Sequence, residues 1–544
     1  MSRAFFQAFD PPAARIAAAV SLAAMLVWCA SVALQSDFSQ VVRANTDDAF
    51  YYFTAARNLA AGHGLTVDGI HPTNGFHPLW LLLLLPVFLG HLPPDASLRA
   101  VTLLQGVLLA VGAIVLYRVH QRMFSARTAL ASTLLFLLFV VPSSMAGMES
   151  ALLVLLLVLL YAAGAALYQQ PQQRRPAVLV GVLLGLVLLA RLDLVFLPLA
   201  LALAIMLKLP DRQTRLTFAP AAVRVAASAA VVVLPYLLFN VIEFGAVMPI
   251  SGAVKSTFPS LTPTHGPLGA LSAKDFVAVG LAVGWLICSL LRLRARVAGA
   301  VAPYRGVAIT VMALTLVLHL AYTVLFMKWG VFFWYYAFYP LVAVLILAVG
   351  IQAILQSTLL QTHPLLYWLG LGVLIVFGIT RHVHQARNSH GEWQLVTYEA
   401  ARWVREHTDA GAIFGMTDSG VFSYFSCRRV INLDGIVNTM DFQRQIAAGR
   451  VNDYLGANGV DYLVQHAVLG HEDVVRGDYT SMPIRILSHR FDVIGDPVMV
   501  YRKDELYRSL PYSHGTGDTV LVIWRYAQAG APAARAAGDL CQRG

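Results

Sequence analysis

Apolar stretches follow one another through the first two thirds of the chain, and their length decides what they are. A helix rises about 1.5 Å per residue, so about 20 apolar residues cross the ~30 Å of a bilayer's hydrocarbon. Stretches of this kind lie near residues 13–35, 98–117, 128–143, 150–168, 176–190, 193–207, 219–239, 274–291, 306–327, 338–358 and 364–380. They predict about 11 transmembrane helices. The first reads as a retained signal anchor, because it follows Arg3 and Arg15 with no cleavage site. Past Arg381 the texture becomes that of a soluble protein. Gln394–Thr408 has helical periodicity, and the short runs Ala412–Met416, Val430–Leu433 and Asp461–Val464 read as strands alternating with helices. The expected organisation is a membrane domain over 1–380 and a soluble α/β domain over 381–544.

One apolar segment resists this scheme. His77–Leu92 is short and contains Pro86. Counting it as a span would invert every later loop, so the distribution of Lys and Arg decides its status. If it does not span, the loops on the Arg3 side hold twelve cations: Arg118, Arg122, Arg127, Arg174, Arg175, Lys208, Arg212, Arg215, Arg292, Arg294, Arg296 and Arg305. The opposite loops beyond position 100 hold Arg191, Lys255, Lys274 and Lys328. The segment is therefore expected to be re-entrant or interfacial, with the N-terminus cytoplasmic and the soluble domain on the far side.

Composition agrees with a membrane protein. Of 544 residues, 58% are hydrophobic and 12% charged, about half the charge of soluble domains. This excludes a disordered, collagenous, coiled-coil or freely soluble chain. The net charge of +10 is accounted for by the sidedness of the loops, and no nucleic-acid partner is implied. Cys29, Cys288, Cys427 and Cys541 are too scattered to suggest a disulfide framework or a metal site.

The polar residues that interrupt this pattern gather in the loops of the far side. Thr46 is placed to cap a helix whose first turn holds Asp47 and Asp48, where the helix dipole favours carboxylates. Phe50, Phe53 and Leu59 give that helix an apolar face suited to a membrane surface. Capping alone explains such a pair; catalysis is the alternative, favoured by its place beside the bilayer. His63, His71 and His77 lack helical spacing and make a weak metal signal. His77 either meets an anionic ligand or is a hydrogen-bonded loop residue. Glu149 starts an apolar span, either as a first-turn cap or as a second active-site acid converging with Asp47. Arg191 and Asp193, two residues apart, do not share a helix face, so a turn with both pointing inward is expected. Arg191 and Lys255 are candidates to bind a phosphate, with headgroup contact the plainer reading. Trp329, Trp334, Tyr335 and Tyr336 mark an aromatic belt, with sugar stacking the second reading. Asp418 and Asp434 follow expected strands and read as turn residues.

The motifs Asp47-Asp-Ala-Phe-Tyr-Tyr, Ala56-Arg-Asn-Leu-Ala-Ala-Gly-His-Gly-Leu and Asn74-Gly-Phe-His-Pro-Leu-Trp resemble the first outer loop of GT-C glycosyltransferases. The likeness is to the arabinofuranosyltransferase-like and protein-mannosyltransferase-like bacterial branch. Gly147-Met-Glu-Ser-Ala-Leu, Ala190-Arg-Leu-Asp, Pro249 to Lys255, Asp418-Ser-Gly and Leu433-Asp-Gly match later landmarks in order. Two departures stand out. The usual Arg-Pro-Asp is Arg191-Leu-Asp193 here, and Ser251-Gly-Ala-Val before Lys255 lacks an aromatic residue.

The resemblance implies a GT-C fold: a polytopic helical membrane protein with re-entrant or juxtamembrane helices in the first outer loop and a C-terminal soluble α/β domain. It implies an inverting transfer of a hexose or pentose from a polyprenyl-phosphate-linked donor to a hydroxyl of a glycan, lipid or protein. Asp47 or Asp48 would be the base and Glu149 a second acid. Arg191, Asp193, Lys255 and His77 would bind the donor, and Tyr51, Tyr52, Trp334 and Tyr335 the sugar or acceptor. No cofactor is required; a divalent cation (Mg, Mn or Ca) is optional and no dedicated metal ligands are seen. The place implied is a bacterial inner membrane, with lipids as partners and the soluble domain periplasmic. A lipid-linked-sugar transporter without chemistry is the alternative. It would bury its ionisable groups near the bilayer midplane, whereas these lie at helix ends and loops.

Overall fold

Backbone groups in hydrocarbon must find partners within their own segment, and the helix is the element that provides them. The computed structural model describes residues 12–208, 212–291, 303–328, 330–363, 365–387, 391–468, 479–482, 498–514, 517–526 and 540–541. Trp329, Arg292, Arg294 and Arg296 lie outside these. Among the described residues, eight helices are long and apolar enough to cross a membrane, and three shorter apolar ones cover Pro78–Leu89, Leu192–Leu207 and Leu365–Gly378. The chain divides into two units, one of residues 1–34, 102–236 and 263–389, the other of 35–101, 237–262 and 390–544.

The first unit is helical. Its elements are α1 (Pro12–Ala33), most of α5 (Pro94–Met123), α6 (Ala126–Leu135), α7 (Ser150–Gln169), α8 (Arg174–Ala190), α9 (Leu197–Lys208) and most of α10 (Arg212–Phe244). It continues with α12 (Ala273–Leu290), α13 (Pro303–Phe326), α14 (Tyr339–Leu355) and α15 (Leu365–Arg387). Helices in lipid approach closely only where side chains are small. Gly181 and Gly185, one turn apart on α8, provide such a place. A Cβ on Gly181 would lie 2.4 Å from the Val225 carbonyl oxygen of α10, and one on Gly185 2.7 Å from Val232 Cβ.

The second unit joins the first polar loop to the soluble tail. It holds α2 (Phe38–Arg43), α3 (Asp47–Ala60), α4 (Pro78–Leu89) and α11 (Ile250–Lys255). The tail adds α16 (Glu392–His407), α17 (Gly420–Ser426), α18 (Met440–Ala447) and α19 (Val451–Ala457). The segment of uncertain status is α4. Its 12 residues reach about 18 Å, too short to span, and it packs on α3.

Strands β1 (Ile413–Met416), β2 (Arg429–Asn432) and β3 (Tyr462–Val468) are where the sequence pattern places them. They are followed by β4 (Tyr479–Met482), β5 (Val498–Tyr501), β6 (Glu505–Arg508), β7 (Tyr512–His514) and β8 (Gly517–Arg525). Six form one sheet in the order β2-β1-β3-β8-β6, with β7 also paired to β8; β4 and β5 pair separately. Strands β1, β2 and β3 are parallel and β8 runs against β3. One face buries Ile431, Phe442, Ile446, Leu455, Leu463 and Val522. Because β1 and β2 are parallel neighbours, the loops leaving their carboxyl ends come out side by side. Those loops are Thr417–Ser419 and Leu433–Gly435.

The structure corrects one expectation about covalent links. Cys427 and Cys541, 114 residues apart, form a disulfide with their Cα atoms 5.3 Å apart. A pairing over that separation leaves no spacing signature.

Candidate active site

In the second unit, α3 and α17 are fastened together at both ends. Both oxygens of Asp47, at the start of α3, accept backbone N–H groups from α17: Oδ2 from Gly420 at 3.0 Å and Oδ1 from Val421 at 2.7 Å. The approach requires glycine, since a Cβ on Gly420 would lie 2.1 Å from the Asp47 carbonyl oxygen. At the other end Arg57 donates to the Tyr424 carbonyl at 2.7 Å and to Cys541 Sγ at 3.1 Å, with its guanidinium 5.0 Å from the Tyr424 ring centre. Cys427, in the left-handed region at φ 55°, follows the last residue of α17 and carries the disulfide.

Between these fastenings Tyr51 wires the two tail loops to α3. Its hydroxyl accepts from the Ser419 N–H at 2.9 Å and from Asn432 Nδ2 at 3.0 Å, and it lies 3.5 Å from Asp434 Oδ2. Asp434 Oδ2 also accepts from the Asp418 N–H at 2.7 Å. Asp418 is thereby held at φ 44°, a conformation that Asp tolerates better than most residues. Tyr52, 5% exposed, accepts the His77 N–H at 3.2 Å and so sets the start of α4. Asn74 holds the segment that carries Lys255. It donates to Asn240 Oδ1 at 3.1 Å and accepts the Ile250 N–H at 3.0 Å.

The outcome is a cluster of four carboxyls, Asp47, Asp48, Asp418 and Asp434, with Lys255 among them. Lys255 Nζ is 3.8 Å from Asp48 Oδ2, and both side chains are partly exposed. Asp418 is open to solvent yet crowded by protein. That crowding, followed by the Asp48 carboxylate, pushes its pKa up to about 6, against an opposing pull from Lys255. Asp47 and the buried Asp434 are held well above the usual carboxylate range by burial and then by Asp418. A cluster so charged retains protons at pH values where an isolated aspartate is ionised.

The first unit has its own charged cluster. Arg191 leaves the helical conformation at the end of α8, at φ −148°, ψ 108°, and Asp193 sits in the short turn that follows. This break lets two residues that could not meet on one helix form a fork–fork pair. Nε donates to Asp193 Oδ1 at 3.0 Å and Nη2 to Oδ2 at 2.5 Å. Nη1 donates to Glu149 Oε1 at 2.7 Å and to the Trp334 carbonyl at 3.4 Å, and the guanidinium stacks 5.0 Å over Tyr335. His319 Nε2 lies 3.2 Å from Asp193 and its Nδ1 3.1 Å from the Tyr339 hydroxyl. Glu149 is fully buried and Arg191 is 2% exposed.

The sequence-derived candidates thus fall into two groups. Asp47, Asp48, Tyr51, Tyr52, His77 and Lys255 belong to the second unit, and Glu149, Arg191, Asp193, Trp334 and Tyr335 to the first. Each group is internally connected. Tyr51 and Tyr52 have hydroxyls engaged in holding loops, and Trp334 is buried with its ring 4.6 Å from that of Phe332. Asp418 and Asp434, taken from sequence as turn residues, are members of the acid cluster. The signal that could have found them is their common position one loop beyond parallel neighbouring strands. Among the described residues, no three His, Cys, Asp or Glu side chains converge as metal ligands.

A model of a domain of unknown function, DUF8728, matches residues 383–508. Curated proteins include no match. Among solved structures the chain is similar to ArnT from Cupriavidus metallidurans bound to undecaprenyl phosphate. The identity is 11% and the TM-score 0.54, over 94% of this chain and 99% of that one. It is also similar to the oligosaccharyltransferase of Archaeoglobus fulgidus in its apo form, at 13% identity and a TM-score of 0.50, over 82% of this chain and 69% of that one. The fold expected from the first-loop motifs is therefore present: GT-C, a polytopic helical membrane fold with a C-terminal soluble domain.

Proposed function

Because the chain has the GT-C fold, we propose that it is a membrane glycosyltransferase that moves a sugar from a polyprenyl-phosphate-linked donor to an acceptor hydroxyl. The observation that carries the reading is the Asp48–Lys255 pair, 3.8 Å apart and partly exposed beside Asp418. A base must reach the proton it removes. Both oxygens of Asp47 accept backbone N–H groups, so Asp47 is the positioning residue and Asp48 the base. The acceptor oxygen attacks the anomeric carbon while the carbon–oxygen bond to the phosphate breaks. The acceptor proton passes to Asp48, and the phosphate leaves with the bonding electrons. Lys255 stabilises the charge that develops on the departing phosphate. A single displacement inverts the anomeric centre.

The Arg191 cluster has a supporting role in this reading. With its guanidinium held by Glu149 and Asp193, Arg191 fixes the Trp334–Tyr335 turn and leaves donor phosphate recognition to Lys255. Two observations support an extracytoplasmic site. Disulfides such as Cys427–Cys541 persist in oxidising compartments, and the distribution of Lys and Arg along the sequence assigns the cation-rich loops to the cytoplasm. The test uses purified enzyme, a radiolabelled polyprenyl-phosphate sugar and acceptor-containing envelope extract. Covalent transfer is expected for wild type and is lost in Asp48→Asn. Label that crosses the bilayer while remaining on its lipid would identify a transporter instead.

A further inference from the structure

Within the first unit lies a cavity that the chemistry above does not use. It has a volume of about 510 Å³ and is walled by α7, α8, α9, α10 and α13. Gly164 and Ala222 leave it room, and its lining is otherwise almost entirely leucine, valine, isoleucine, alanine and aromatic side chains. The polar atoms it has are at one end. There Tyr161, Tyr168, Tyr304 and Phe218 form a collar, with Tyr168 5.6 Å from Phe218 and 5.8 Å from Tyr304 between ring centres. Amphipathic rings of this kind settle at the level of lipid headgroups. Tyr168 is 19 residues beyond Glu149 on the same helix, about 28 Å at helical rise. The collar therefore lies at the end of the bundle opposite the Glu149–Arg191 cluster.

Three arginines stand close to this end along the same helices. Gln172 Nε2 donates to the Thr217 carbonyl at 3.3 Å, which sets the α7–α8 turn beside the first turns of α10. Arg174 and Arg175 open α8 directly after that turn, and both are exposed. Arg215 lies one turn before Phe218 and donates to the Met206 carbonyl at 3.1 Å. A hydrocarbon-lined cavity with a phenol at one end, and three arginines within two helical turns of its lining residues Val180 and Phe218, matches an amphiphile with an apolar chain and an anionic head. The volume is within the range of small-molecule sites.

We propose that this cavity is a binding site for an anionic phospholipid of the leaflet at that end. One acyl chain occupies the cavity, and the phosphate lies at the mouth among Arg174, Arg175, Arg215 and the Tyr168 hydroxyl. The site is independent of the glycosyl-transfer reading, since it makes no use of Asp48 or Lys255.

The full-length chain, delipidated in a neutral detergent, is titrated with phosphatidylglycerol and separately with phosphatidylcholine, and bound lipid is counted by native mass spectrometry. Phosphatidylglycerol is expected to bind at least tenfold more tightly. The double variant Arg174→Gln/Arg175→Gln, altered only at exposed positions, should remove most of that preference, since two juxtamembrane cations at about 1 kcal/mol each are worth up to about thirtyfold. Ala222→Trp, which places an indole in the cavity, should weaken retention of either lipid at least tenfold. Equal affinity for the two lipids overturns the proposal. So does unchanged retention in Ala222→Trp, or recovery of a polyprenyl lipid rather than a phospholipid from the purified wild type.

Discussion

Exchanging each member of the first-loop acid pair for asparagine separates two roles that the sequence leaves merged. Asp47→Asn keeps one carbonyl oxygen for one α17 N–H but turns an amide donor toward the other. A charge-assisted hydrogen bond is worth about 1.5–3 kcal/mol, and part of that loss is offset because a carboxylate crowded by Asp418 and Asp48 has been removed. The variant should fold, melt lower, and lose roughly tenfold in kcat/KM through a looser loop. Asp48→Asn leaves the Asp47–α17 hydrogen bonds in place. It removes the proposed base, worth ~10²–10⁴-fold or about 2.7–5.4 kcal/mol at ~1.36 kcal/mol per decade, with a loss of activity far larger than any shift in melting temperature accounts for. The assay is single-turnover transfer of radiolabelled sugar, with thermal unfolding of both variants in the same detergent. If Asp47→Asn folds normally and is inactive while Asp48→Asn transfers sugar at the wild-type rate, the assignment of base and anchor is wrong.

Other outcomes follow from the same geometry. Gly420→Ala places a Cβ 2.1 Å from the Asp47 carbonyl oxygen; it should cost about 1–3 kcal/mol and lower transfer with it, read by melting and turnover together. Glu149→Ala removes one of the two carboxylates paired with the buried Arg191 and leaves Asp193, a loss near the lower end of ~3–5 kcal/mol, measurable as a shift in denaturant midpoint. Asp418 has its pKa raised from 3.8 to about 6, so its folded form holds the proton more tightly and the stability this contributes is complete below pH 3.8 and lost as pH rises through about 6. Asp418→Asn should therefore stabilise the protein at pH 7.5 and make little difference at pH 4, by thermal unfolding at both. Cys427→Ser should cost about 2–4 kcal/mol, and peptide mapping without reductant should recover the Cys427–Cys541 pair from wild type.

The helices were legible because hydrocarbon imposes one solution on a long apolar run, and α4 because the arginine distribution excludes a span there. Strands β1, β2 and β3 were legible from short apolar runs between turn signals. The site was half legible. Asp47 and Asp48 stand out locally, but nothing local separates an aspartate with both oxygens engaged by α17 from its neighbour beside Lys255. Asp418 and Asp434 look like turn residues because they are turn residues. Their proximity comes from the parallel pairing of β1 with β2, a contact between positions 16 apart that no periodicity records. The Arg191–Asp193 pair needed a break in α8, consistent with the inward-pointing turn expected there. The disulfide was invisible because its partners share no local motif.

The clamp formed by Arg57, Tyr424 and the Cys427–Cys541 bond has a temporal side. A ribosome reaches Asp47 and Asp48 early but must add 114 further residues after Cys427 before the sulfur that completes the clamp exists. The clamp beside the carboxyl cluster is therefore completed only after the helices around Arg191 have been made. A half-synthesised chain would carry Asp47 and Asp48 without the clamp that fastens α17 to α3.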